Sequence, residues 1–398
     1  MIKTFLNLGK QPLANDFKKK RTTNFYNLSL KFDTTNCLVS INKRINKEIM
    51  FNKTYPYRSS ESLTIKKHFK DLSNKIKKHY KYKKILEIGT NDGCYANNFN
   101  KKKIICIEPC LDVAKVLIKK NFQVIPEYFD KKLTKKLIIK YNKFDIVFSA
   151  NTITHIDKIE DVLINIKKIL SNDGIVILEE PSFLECLKKN AFDQFYNEHI
   201  YVLSAISLRN ILNKIGLKIF KLEQLEVHGG SLRYYITHKN NKKFRISKSV
   251  TNQVQKEKKA GLNRFSTYLK FGNNIINLKK NLIKMLKNIK SNGNRIVGYG
   301  ASAKAVTVVH YCNLQKGIFD YFVDTTKNKI GKYLPGTKII IKNYKKSKIG
   351  KSLFYFLGAW NFKKEIFYKE RNFLKKGGKF ILHLPKPTIY ERMKTWKE

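Results

Sequence analysis

Tyr196, Glu198 and His199 fall within four positions of one another in the stretch DQFYNEHIYVLS, residues 193–204. A histidine that titrates near neutrality can remove a proton beside a carbonyl. A carboxylate can orient the imidazole, and a phenol can hold the oxygen of the enolate that forms. These residue types together suit the making of a carbanion equivalent, which is what transfer of a methyl group to carbon requires. Two more histidines lie in comparable settings. His155 is in ANTITHID, and His228 is in EVHGGSLR, where Gly229-Gly230 forces a turn and Arg233 begins the next strand. His238, at a strand end beside Lys239, reads as a surface residue.

The elements that must position these groups are legible from residue 84 onward. KILEIG, IICIEP, FDIVFSAN and GIVILEEP read as buried strands separated by helical patterns, and LKIFKLEQLE and SLRYYITHK as a late strand pair. Strands alternating with helices predict an α/β fold with a doubly wound parallel sheet, closed by an antiparallel strand. The loops at the carboxyl ends of such strands are where ligands bind. In the first of them, LEIGTNDG, Gly89 and Gly93 are four apart and follow Glu87. A dinucleotide turn would carry G-x-G-x-x-G. Here Thr90, Asn91 and Asp92 fill the turn, and Glu87 and Asp92 would repel a diphosphate. A nucleoside carrying a cation fits better, and S-adenosylmethionine is such a molecule. Glu108, followed by Pro109, ends the second strand nineteen residues after Gly89, where a carboxylate can accept from ribose hydroxyls. Asn151 ends a later strand facing the same crevice.

The formal charge of +51 invites a nucleic-acid reading, but 71 of the 81 basic residues are lysine and only 10 are arginine, the residue that forks onto phosphates and base edges. Lysine is absent from 85–100, 144–157, 171–187, 190–213 and 222–238, which hold nearly all the motifs above. The charge therefore reads as solvated surface, with weak polyanion binding at low salt and no specific nucleic-acid partner. No run of eighteen apolar residues predicts a membrane span, and the start lacks the pattern of a signal peptide. Six cysteines without disulfide spacing agree with a cytoplasmic setting. Four segments are expected: 1–80, largely irregular with one strand-like stretch and a helix over 61–80; 81–244, the cofactor-binding unit; 245–292, a helix or helix pair; and 293–398, a second α/β unit opened by NRIVGYGASAKA.

LEIGTNDG, IEP, ANTITHI, FYNEHIYVLS, HGGSLR and GYGASAKA, in this order, resemble the sugar C-methyltransferases, which act on nucleotide-linked keto-deoxysugars in antibiotic and surface-polysaccharide biosynthesis. The likeness extends from LNLGKQPLANDF to LGAWNF, and YPYRSSES, 55–62, resembles the family's substrate-side loop. It implies a zinc-ribbon-like cap, a class I methyltransferase domain, and a C-terminal Rossmann-like domain that helps hold the sugar nucleotide. It also implies His199 as the base with Glu198 and Tyr196 beside it. His155, His228 and Arg233 would lie on the sugar side, and Lys304 in the ligand-facing loop of the second glycine turn. Which histidine is the base stays open among His199, His155 and His228. Glu87, Gly89, Asn91, Gly93, Glu108, Pro109 and Asn151 are the expected cofactor contacts. The family's cap holds zinc through two close cysteine pairs, whereas only Cys37 in TTNCLVS remains here. One thiol cannot make a structural zinc site, so either the metal is lost or the chain start is incomplete. The alternatives to a keto-sugar enzyme are a methyltransferase for nucleic acid or protein, and an inactive cofactor-binding scaffold.

Overall fold

Three sheets organise the chain, and the computed structural model describes residues 1–42, 44–51, 55–344 and 353–391. The first sheet is antiparallel: β1 (Ile2–Pro12), β2 (Phe25–Asp33), β3 (Leu38–Ile41) and, from far along the chain, β9 (Tyr201–Val202), in that order. This corrects the expectation that the first segment is largely irregular. Register shifts at Thr4/Leu6 and Asn7/Lys10 interrupt the pairing of β1 with β2, so the period of two that announces a strand is broken in the sequence.

The second sheet runs in the order β10 (Leu217–Leu225), β11 (Ser231–His238), β8 (Leu170–Pro181), β7 (Phe144–Ala150), β4 (Ile85–Ile88), β5 (Ile104–Ile107), β6 (Gln123–Ile125). From β8 to β6 all pairs are parallel, while β11 is antiparallel to both its neighbours, as the sequence predicted. Strands β4 and β5 are buried at every position, the mark of a parallel strand covered on both faces. The helix Leu63–His79 covers one face through Ile65, Phe69, Leu72 and Ile76. One element differs from expectation: after the glycine turn of β4 the chain forms only a short 3-10 turn, Ala96–Asn98, and no α-helix. The segment NDGCYANNFN is rich in Asn and poor in helix formers, which explains it.

The third sheet has the order β14 (Ile341–Asn343), β13 (Phe322–Asp324), β12 (Arg295–Tyr299), β15 (Leu353–Leu357), β16 (Lys379–Leu382), β17 (Thr388–Tyr390), parallel except for β17. Two helices, Lys248–Lys259 and Phe265–Ser291, connect it to the second sheet. The longer one braces the first sheet. Tyr268 stacks on Phe32 with centroids 4.0 Å apart, and Gly272 lies where a Cβ would come within 2.4 Å of the Phe5 carbonyl oxygen. Among the described residues no helix is long and apolar enough to cross a membrane.

Candidate active site

A cavity of about 1190 Å³ opens where the carboxyl ends of β4, β5 and β7 face those of β12 and β13, with the first sheet's flanking loops completing its wall. At the first glycine turn, Gly89 has φ +75°, and a Cβ there would sit 2.2 Å from Thr152 Oγ1, so only glycine lets the two loops meet. Asn91, also at positive φ, donates its backbone N–H to Glu108 Oε2 (2.8 Å), and Cys110 N–H reaches Glu108 Oε1 (2.9 Å). Each carboxylate oxygen keeps a further lone pair for a hydroxyl. Burial pushes the Glu108 pKa up, and these backbone donors pull against it. The second glycine turn repeats the device. Gly300 has φ +84°, and Asp324 at the end of β13 accepts the Ala301 N–H at 2.9 Å.

Between the two turns stand the histidines. His199 Nδ1 lies 2.7 Å from the Gln194 carbonyl oxygen, which can only accept, so Nδ1 carries the proton. Nε2 is then the lone-pair nitrogen, and the Tyr196 hydroxyl donates to it at 2.5 Å. His155 stacks on His199 with centroids 4.9 Å apart. Burial, with His155 and Lys304 nearby, holds the His199 pKa well below its ordinary value, and burial lowers His155 to about 4 and His228 to about 3. All three rings are therefore neutral at pH 7. Burial keeps the Tyr196 phenol well above its ordinary value, so it remains a donor.

Of the residues singled out in the sequence, Gly89, Asn91, Glu108, Pro109, Asn151, His155, Tyr196, His199, His228 and Lys304 line this one cavity. Four do not. Arg233 is buried in an ion network, with Nε 2.6 Å from Glu179 and Nη1 2.6 Å from Glu223, opposite Glu179 in the β8–β11 pairing, and it does not line the cavity. Glu87 is buried beneath the turn, and a Cβ at Gly93 would meet Leu117, which makes that glycine a packing position. Glu198 faces away from the imidazole it was expected to orient. Its two oxygens accept from Asn15 Nδ2 (2.8 and 2.9 Å), and Oε2 also accepts from the Tyr55 hydroxyl (2.9 Å). The Gln194 carbonyl does the orienting instead. Burial raises the Glu198 pKa to about 7 against those donors. His238 is half-buried at the end of β11 remote from Ser231.

Comparison with known proteins assigns both α/β units. Residues 59–222 match a family described as a methyltransferase domain, and residues 226–385 match the C-methyltransferase C-terminal domain. The chain belongs to the S-adenosylmethionine-dependent C-methyltransferases. It is 26% identical over 307 residues to C-methyltransferase NovU of Streptomyces niveus, covering 77% of this chain and 73% of that one. Among solved structures, a methyltransferase from Thermotoga maritima is similar at 22% identity and TM-score 0.36, over 46% of this chain and 94% of that one. Magnesium protoporphyrin IX methyltransferase from Synechocystis, with bound S-adenosylmethionine, is similar at 9% identity and TM-score 0.34, over 50% and 86%.

In this C-methyltransferase the glycine turn and Glu108 fit a nucleoside cofactor: the turn is closed to a side chain and the carboxylate is free to accept hydroxyls. The residues do not fit a zinc site. Among those described, no group of three or more His, Cys, Asp or Glu could hold a metal ion, and Cys37 lies at the β2–β3 turn with a thiol raised by burial. Tyr55 and Asn15, which lie in stretches that carry the resemblance but were not singled out as site residues, also line the cavity, and both are bonded to Glu198. Tyr55 belongs to a loop, 55–62, that bridges the units. Arg58 pairs with Asp112 at 2.6 Å, Ser59 N–H reaches Asn91 Oδ1 at 3.0 Å, and Ser60 Oγ reaches Asp92 at 2.5 Å. Its sequence, YPYRSSES, is the stretch whose likeness to the family's substrate-side loop was the available signal.

Proposed function

We propose that this C-methyltransferase methylates the carbon beside the ketone of a nucleotide-linked keto-deoxysugar, with His199 as the base. The observation that carries the reading is the His199 side chain itself: a neutral imidazole whose Nδ1–H is tied to a backbone carbonyl and whose Nε2 lone pair faces the cavity beside a phenol. As the acceptor enters, the Tyr196 hydroxyl turns from Nε2 to the ketone oxygen. Nε2 then takes the proton from the adjacent carbon, and the C–H electron pair becomes the enolate that Tyr196 holds by its hydrogen bond. When bound, S-adenosylmethionine supplies an electrophilic methyl group. The His199 proton passes to solvent after transfer. His155 and His228, neutral on the same wall, offer hydrogen bonds to sugar hydroxyls. Asp324, Ser302 and Lys304 at the second glycine turn line the part of the cavity where a nucleotide would be held. A small acceptor also suits a cavity enclosed by three sheets better than a polymer does.

The test is to incubate the enzyme and its His199→Gln variant with S-adenosylhomocysteine and a panel of nucleotide-linked keto-deoxysugars in deuterium oxide. The wild type should exchange the C–H beside the ketone; the variant should lose that exchange, bind S-adenosylhomocysteine normally and, in a parallel incubation with S-adenosylmethionine, lose methylation. Turnover by the variant at the wild-type rate refutes the assignment of the base.

A further inference from the structure

Asp193 lies under the reaction centre without touching the cavity, and its surroundings are unusual. The side chain is completely buried, as is His383 from the third sheet. Asp193 Oδ2 accepts from two donors contributed by the C-terminal unit: Trp360 Nε1–H at 2.6 Å and His383 Nε2–H at 2.9 Å. Oδ1 has no hydrogen-bond partner. A buried carboxylate held so tightly on one oxygen and bare on the other requires a reason, because an incompletely paired buried charge is destabilising.

Its neighbour in sequence supplies one. The next residue is Gln194, whose carbonyl fixes the proton on His199 Nδ1 and whose Nε2 donates to the His228 carbonyl at 2.6 Å. The 3-10 turn Phe192–Gln194 that carries this carbonyl has no side-chain cap; Phe192 packs its ring on Tyr311 and His383, and the Asp193 hydrogen bonds add a polar tie to the third sheet's unit.

We infer that Asp193, held by Trp360 and His383, is a positioning residue for methyl transfer: it fixes the carbonyl that orients His199. The inference rests on the reading of His199 as base. The C-terminal unit on this account does more than wall off the cavity. Through one indole N–H and one imidazole N–H it sets the tautomer and aim of a base that belongs to the middle sheet.

Two near-isosteric variants test this. Asp193→Asn keeps shape and removes charge, and Trp360→Phe keeps an aromatic ring and removes the N–H. In each, kcat should fall roughly tenfold to a hundredfold, the range expected for slight misplacement of a reacting group. KM for the keto sugar and affinity for S-adenosylhomocysteine should stay within about twofold. The second readout needs no acceptor. With S-adenosylhomocysteine bound, nitrogen-15 imidazole spectra should assign the wild-type His199 proton to Nδ1, and both variants should give mixed tautomers. Wild-type kcat with an unchanged His199 spectrum in either folded variant overturns the inference, as does a loss of turnover that merely tracks loss of folded protein in the thermal melt. If His199→Gln turns over normally, the base assignment fails first. If it is inactive while Asp193→Asn and Trp360→Phe are normal, only the positioning role fails.

Discussion

Glu180 offers a measurement that isolates one element of the site. It is fully buried at the end of β8. Its Oε1 accepts the Thr152 N–H at 3.2 Å and its Oε2 the Thr154 hydroxyl at 2.7 Å, so one carboxyl holds the loop that carries Asn151 and His155. Burial raises its pKa from 4.5 to about 8, with those donors opposing. Between these two values the folded state binds a proton that the unfolded state has released, so stability falls as pH rises through the window. At about 1.4 kcal/mol per pH unit, the loss is at most roughly 4–5 kcal/mol. His155 and His228, lowered to about 4 and about 3, act in the opposite sense: their contribution is regained as pH rises towards 6.5. Both are common to wild type and variant, so they drop out of a difference. Glu180→Gln cannot titrate. Urea unfolding followed by circular dichroism from pH 5 to 9 should find the variant within about 1 kcal/mol of wild type at pH 5 and increasingly the more stable of the two up to pH 8. A difference that stays flat across this range, or that runs the other way, refutes the reasoning. The slope would then lie in other groups.

Two further outcomes follow from the packing. Gly89→Ala would force a Cβ to within 2.2 Å of Thr152 Oγ1 at a φ of +75°, so affinity for S-adenosylhomocysteine by isothermal titration should drop at least roughly tenfold. Wild-type affinity would mean that the turn adapts and is not the cofactor cradle. Tyr268→Ala removes a buried ring that stacks on Phe32 and Phe183 and packs at a tilt against Phe5, and a hydroxyl that donates to the Leu262 carbonyl at 2.7 Å. Chemical denaturation should register a loss of about 3–5 kcal/mol. A loss below about 1 kcal/mol would show that the first sheet does not depend on the connecting helix.

The middle sheet was legible because its strands are unbroken apolar runs at regular spacing, down to the reversed final strand. The first sheet was not, because β1 carries bulges and β9 is two residues paired to a strand 160 positions earlier. Chemistry was read with similar limits. Residue type and loop position found His199, Tyr196 and His155, but adjacency in sequence misassigned Glu198. In the turn 196–199 the carboxylate points to Tyr55 and Asn15 while the imidazole points into the cavity, and no local pattern encodes that divergence. Arg233 misled for a related reason: a strand alternates its faces, and at this position the face is occupied by Glu179 and Glu223. The absence of lysine was the better guide, and it now has a physical account. The histidines and the phenol of the cavity come from lysine-free segments, and the ammonium that approaches them, Lys304, is brought in by the second glycine turn. The cavity's outer wall, by contrast, includes Arg44, Lys47, Lys131, Lys158, Lys329 and Lys369. On the proposed reading of the site, such a distribution draws an anionic acceptor to the entrance and leaves neutral histidines and a phenol beside the carbon that reacts.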